Sequence, residues 1–131
     1  MPKSAVLILL LLLFAPTIGC SPEISPQEAK VLVTLDEIQR AVETNIDYDG
    51  FVQLLLTAKA EIGMLKQDNG ANPWFKSAIE KCYASYEIAN KAWKRKIEEK
   101  DETRKSDMEM ALSFSLSFSA INIKRANKCY Q

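Results

Sequence analysis

Oxygen-bearing side chains alternate at one place in the chain, in the run Asn45-x-Asp47-x-Asp49 that precedes Gly50. Carboxylate and amide oxygens are the ligands that hard divalent cations such as Ca²⁺ take in proteins. Apolar residues on both sides of the run recur at helical spacing, so the run connects two helices. The pattern predicts a cation site made of Asn45, Asp47 and Asp49.

The same run resembles the first half of the calcium loop of EF-hand proteins, and the resemblance implies calcium binding. The twelfth position of such a loop needs a bidentate glutamate, and here that position is Leu56. The alternative is an ordinary turn, in which Asp49 caps the next helix and Gly50 relaxes the backbone. The turn is the simpler interpretation, and divalent-ion binding is the second hypothesis.

The chain contains no histidine, which removes the commonest metal ligand and the commonest proton-transfer group. A Ser-His-Asp triad, a Glu-x-x-His di-iron site and a Cys-x-x-Cys-His haem attachment are therefore excluded. We expect a protein that is not an enzyme and has no cofactor. Basic and acidic residues number 17 each, a balance that argues against nucleic-acid binding.

The first nineteen residues have the three-part layout of a secretory signal. A basic start at Lys3 precedes an apolar run from Ala5 to Phe14, and small residues follow. The apolar run is too short to cross a bilayer, which takes about 20 residues. Thr17 and Gly19 would also suit an ordinary signal peptidase, with no lipid attached. We expect residues 1–19 to be removed as a signal peptide.

The segment Thr17-Ile18-Gly19-Cys20 resembles the lipobox of bacterial lipoproteins, whose cysteine becomes the first residue and carries acyl chains such as palmitate. The resemblance implies that Cys20 is lipidated and that residues 20–25 tether the domain to a membrane. The protein would then be anchored to a bacterial membrane and face the periplasm or the cell exterior.

Exported proteins tend to pair their cysteines, and this chain has three of them. If Cys20 carries a lipid, Cys82 and Cys129 remain and can form one disulfide. The alternative is that Cys82 and Cys129 are buried thiols.

Residues 26–131 predict an all-α domain, an antiparallel four-helix bundle of two hairpins. Ser25, Pro26 and Glu28 make a capping box for the first helix, which is expected to reach Ile46. A second helix carries its apolar residues between 51 and 65. Asn72 and Pro73 start the third helix, which is expected to reach Arg104.

The fourth helix is predicted to begin at Ser106, because Glu109 completes a second capping box. Leu112 to Ser119 alternates with period two, which taken alone indicates a strand. No second alternating segment exists to pair with it, so a helix is the favoured interpretation. A turn centred between residues 105 and 106 places Cys82 opposite Cys129, which supports the disulfide.

The fourth helix is apolar on two opposite sides, and one hairpin partner can cover only one of them. The sequence therefore predicts a surface for an envelope protein or for a second copy in a homodimer. The alternatives are a bend of the third helix near Trp93 and a shift of the first helix over this region. The predicted surface comprises Met108, Met110, Leu112, Phe114, Leu116 and Phe118.

Together these features predict a membrane-anchored cell-envelope lipoprotein that acts as a protein-interaction or structural module. The alternative is a divalent-ion or small-ligand binding bundle in the periplasm.

Overall fold

The computed structural model describes residues 23–130 of the chain. It contains the helices α1 (Pro26–Glu43), α2 (Tyr48–Gln67), α3 (Pro73–Glu98) and α4 (Glu102–Asn127), followed by a 3₁₀ turn (Lys128–Tyr130). No strand occurs in this range, so the predicted all-α bundle is confirmed. The predicted signal peptide, the lipidation site Cys20 and the start of the tether lie outside the described residues. None of the four helices combines the length and the apolar character that a membrane span requires.

The predicted starts of α1 and α3 are confirmed. The Ser25 hydroxyl accepts from the Glu28 backbone N–H at 3.1 Å, and the Glu28 carboxylate accepts from the Ser25 N–H at 3.3 Å. At α3, the Asn72 side-chain oxygen accepts from the Trp74 N–H at 2.9 Å, and Pro73 follows as the first helical residue. Each cap satisfies backbone donors that the first helical turn leaves without partners.

The turn between α1 and α2 comes earlier than predicted. Helix α1 ends at Glu43 instead of Ile46, because Asn45 adopts a left-handed conformation with φ of 61°. The cap of α2 is Asp47 and not Asp49: its carboxylate accepts from the Gly50 N–H at 2.8 Å.

The turn between α3 and α4 also comes early, and the predicted capping box at Ser106 is wrong. Asp101 caps α4, accepting from the backbone N–H groups of Thr103 at 2.9 Å and Arg104 at 3.2 Å. The Glu99 carboxylate accepts from the N–H groups of Asp101 at 3.0 Å and Lys100 at 2.9 Å, and these bonds lower its pKa. Ser106 therefore lies inside α4.

The earlier turn changes the register of the α3/α4 hairpin. Moving the turn by about five residues slides α4 by about ten residues, or roughly 15 Å, along α3. Cys82 accordingly faces Ser119, whose hydroxyl donates to the Cys82 carbonyl at 3.5 Å. Cys129 lies instead beside Trp74, at the start of α3. Cys82 is a buried free thiol, and the predicted Cys82–Cys129 disulfide is wrong.

The core is centred on aromatic rings from α2 and α3. The Phe51 ring lies 6.2 Å from that of Tyr86 and 5.2 Å from that of Trp93. The rest of the core consists largely of buried aliphatic side chains: Val31, Leu35, Ile38, Leu55, Ile62, Leu65 and Ile79.

A second aromatic contact joins the two ends of the described chain. The Tyr130 hydroxyl donates to the buried Glu28 carboxylate, and its ring lies 5.6 Å from that of Phe75. The start of α1, the start of α3 and the end of the chain therefore meet at one end of the bundle.

The opposite end of the α3/α4 hairpin is thinly packed. Trp93 contacts Tyr48 at the start of α2, with 5.7 Å between ring centroids. No residue from 93 to 114 is fully buried. An ion pair between Lys96 and Glu109, at 2.9 Å, bridges the two helices there. Because α3 ends at Glu98 instead of Arg104, this tip extends only about 8 Å beyond Trp93.

We expect Tyr86→Phe to stabilise the fold by about 1 kcal/mol at pH 7, because the buried Tyr86 hydroxyl has no hydrogen-bond partner among the described residues. Burial raises the pKa of Tyr86, and raises the pKa of Cys82 from 9.0 to about 12. The unfolded chain therefore loses these protons at lower pH than the folded one, so the free energy of unfolding falls as pH rises above about 9.

Urea unfolding of the wild type and Tyr86→Phe at pH 7 and pH 10.5 measures both effects. The variant should lose less stability on going to high pH, since only the Cys82 contribution of the pair remains. A variant that is less stable than the wild type at pH 7 would show that the hydroxyl is satisfied.

Candidate protein-interaction surface

The side of α4 that faces the core is built from small and polar residues. Its buried residues are Ser115, Ser119, Asn122, Ile123 and Ala126, and Ser119 has an exposed fraction of 0%. The serine hydroxyls are satisfied within the helix: Ser115 donates to the Ala111 carbonyl at 2.8 Å, and Ser119 donates to the Ser115 carbonyl at 2.9 Å. Such bonds to the preceding turn let serine be buried without a partner from another helix.

The facing side of α3 is small as well. Cys82, Ser85, Ala89 and Ala92 are buried there. Small residues on both helices allow their backbones to approach closely, as the contact between the Ser119 hydroxyl and the Cys82 carbonyl shows. A phenylalanine at such a contact would have to push the two helices apart.

Four large apolar side chains of α4 consequently face solvent. Phe114 is 70% exposed and Phe118 is 56% exposed, and Met110 and Ile121 are exposed beside them. We call these four residues the outer face of α4. Ile88 of α3 is also exposed and borders a groove with Phe114 and Phe118. At about 200 Å² per large side chain, the patch exposes on the order of 500 Å² of apolar surface, near the upper limit seen on monomeric proteins.

The predicted surface residues divide into two groups. Met110, Phe114 and Phe118 lie together on the outer face. Leu112 and Leu116 are half-buried and pack against the core. Met108 is half-buried too, and it borders a groove with Ile88, Ala92 and Arg95 of α3.

Ile88 was missed because a turn between residues 105 and 106 would place it opposite Ile123, another apolar residue of the hairpin. Ile121 follows Phe114 and Phe118 at helical spacing, so the sequence carried the signal that places it on the same side.

The predicted cation site is a capped turn in this structure. Asp47 uses one carboxylate oxygen to bond the Gly50 N–H, and a Cβ added at Gly50 would lie only 2.8 Å from that oxygen. This close approach accounts for the glycine. Asp49 lies in the first turn of α2, and within residues 23–130 no three His, Cys, Asp or Glu side chains converge as metal ligands would. Cation binding by Asn45, Asp47 and Asp49 stays a prediction.

No protein-family model, curated protein or solved structure matches this chain.

We expect Ser119→Leu to destabilise the domain by about 1–3 kcal/mol, because the added side chain must fit into the closest contact of α3 and α4. Ser113 lies on the same helix and is exposed, so Ser113→Leu is the matched control and should change stability by less than about 0.5 kcal/mol. Urea unfolding followed by circular dichroism measures both variants. Equal effects of the two substitutions would contradict the close contact at Ser119.

Proposed function

We propose that the protein is an exported, membrane-anchored cell-envelope lipoprotein, and that its helical bundle is a protein-interaction module whose binding surface is the outer face of α4. The observation that carries the interaction role is the exposure of Phe114 and Phe118 on a helix that buries Ser115 and Ser119. No nucleic acid or cofactor enters this proposal.

Burial energetics support an interaction surface there. Fully burying a large apolar side chain contributes about 1.5–3 kcal/mol, and the isolated domain forgoes most of this at Phe114 and Phe118. The two rings lie one helical turn apart beside the exposed Ile88, so a single partner surface can cover all three. A contiguous apolar patch of about 500 Å² lies in the upper part of the range for monomeric proteins, and patches of this size are often functional.

The anchor is supported by the lipobox-like segment that ends at Cys20. The odd number of cysteines no longer supports lipidation of Cys20, because that argument required Cys82 to pair with Cys129. Cys82 is instead a buried free thiol. From Cys20 to Pro26 the chain can span at most about 20 Å, which would hold the start of α1 close to the membrane surface.

Intact mass of the protein extracted from membranes of cells that express the full chain tests the anchor. We expect a chain that begins at Cys20 and carries acyl groups. An unacylated mass, whether with a free Cys20 thiol or with the lower mass of a Cys20–Cys129 disulfide, would contradict it. The variant Cys20→Ser should lose the acyl mass and leave the membrane fraction.

Photo-cross-linking in the same cells tests the interaction surface. A photoreactive benzoylphenylalanine replaces Phe118, where its aromatic shape is tolerated because the side chain is exposed. The matched control places it at Val33, an exposed apolar residue of α1. We expect a discrete adduct from position 118 alone, which mass spectrometry then identifies. Absence of any adduct at 118, or equal adducts at both positions, would contradict the proposal.

A further inference from the structure

The exposed side of α4 carries a regular stripe. Asp107, Ala111, Phe114, Phe118, Ile121 and Arg125 follow one another in steps of four and three, and all six are exposed. At 3.6 residues per turn they fall within a band about 80° wide along five helical turns. This is the a/d spacing of a helix that packs along another helix. The seam borders α3 at Ile88, whereas the buried contact with α3 is made by the neighbouring side of α4 at Ser115 and Ser119. We call these six residues the α4 seam.

The seam is complementary to itself when it is reversed. Its order is acidic, small, aromatic, aromatic, aliphatic and basic, so a second copy running antiparallel places Asp107 opposite Arg125 at both ends. Phe114 then meets Phe118 in the two central layers, and Ala111 meets Ile121 in the layers between. A small residue facing a large one, and opposite charges at the ends, are what a two-fold symmetric contact requires.

We propose that the partner of the outer face is a second copy of this chain, which packs seam to seam with α4 antiparallel to α4. The inference rests on the proposed interaction role of this surface, and it adds the identity and orientation of the partner. In a parallel arrangement each residue would face its own copy, so Asp107 would face Asp107 and Arg125 would face Arg125. The charges therefore favour the antiparallel arrangement.

The area of the surface fits a dimer. A standard interface buries about 800 Å² on each partner, and the outer face of α4 together with Ile88 supplies more than half of that as apolar side chains. Met110 flanks the seam and would face Lys124 of the second copy, where the lysine stem can cover it. Beyond the seam, Arg104 would face Lys128, and the Glu99 carboxylate, 3.8 Å from Arg104, offsets this repulsion.

Both copies can still reach one membrane. The two-fold axis runs perpendicular to α4, so both α4 helices can lie parallel to the membrane plane. The residues between Cys20 and Pro26 then provide up to about 20 Å of reach for each anchor.

Cross-linking of an introduced cysteine tests the arrangement in cells that express the full chain. Ser117 flanks the seam next to the axis, so its two copies would lie about 3 Å apart along the helices, across axes separated by about 8–10 Å. A bismaleimide of about 8 Å should therefore link Ser117→Cys chains into a species of twice the chain mass. Ser106→Cys is the matched control, because its copies would lie about 30 Å apart and should not be linked. The wild type reports any background from the native cysteines.

A charge exchange tests the register. In the Ser117→Cys background, Asp107→Arg turns both terminal attractions into repulsions and should lower the yield of linked dimer by roughly fivefold. Adding Arg125→Asp restores opposite charges and should recover the yield. Neither side chain has an ion pair or side-chain hydrogen bond within the described chain, so the fold does not depend on them.

The outcomes separate this inference from the proposed function. A linked dimer with rescue by the double exchange supports the antiparallel seam. A dimer without rescue would overturn the register. No dimer from Ser117→Cys, together with a photo-adduct of another protein at position 118, would overturn the second copy as the partner and leave the interaction role intact. No adduct in either experiment would overturn both.

Discussion

The contact between α3 and α4 is made mainly by small side chains, and the outward placement of Phe114 and Phe118 follows from it. Cys82, Ser85, Ala89 and Ala92 face a strip of α4 in which Ser119 is completely buried. Close packing gains dispersion energy only when the backbones approach to within the reach of these short side chains. At that separation Phe114 and Phe118 have no room inside, so they face outward.

Local signals predicted the starts of two helices correctly because each start combines a capping side chain with a proline directly after it. Ser25 precedes Pro26 and Asn72 precedes Pro73, and proline favours the first position of a helix. The start of α4 has two candidates, and the sequence alone does not rank them. Asp101 prevails over Ser106, with Glu99 closing the connection through two bonds to backbone N–H groups. No glycine or proline lies between residues 98 and 106 to mark the turn.

An error of a few residues in the position of the turn becomes a larger error in the register of the two helices of a hairpin, because the register moves by twice the displacement of the turn. The predicted opposition of Cys82 and Cys129 depended entirely on the turn position. In the structure Cys82 belongs to the α3/α4 contact, where burial raises the pKa of its thiol and keeps it protonated. Cys129 lies at the other end of α3, near Trp74. The pairing of two cysteines at equal distances from a predicted turn therefore supports a disulfide only when the position of the turn is established independently.

The sequence of α4, in which serine alternates with leucine and phenylalanine, shows that apolar residues lie on several sides of the helix. It does not show that the serines face the core and the phenylalanines face solvent. Which side becomes the core depends on whether α3 offers large or small residues opposite, and that is a property of the pair of helices. The sequence therefore predicted a partner surface in outline, while the structure divides it into an inner group at Leu112 and Leu116 and an outer group at Phe114 and Phe118. A helix that uses small side chains for its own core leaves large ones on its surface, and these form the proposed binding surface of α4. The tip of the hairpin is also thinly packed, since residues 93–114 contribute no fully buried side chain to the domain itself.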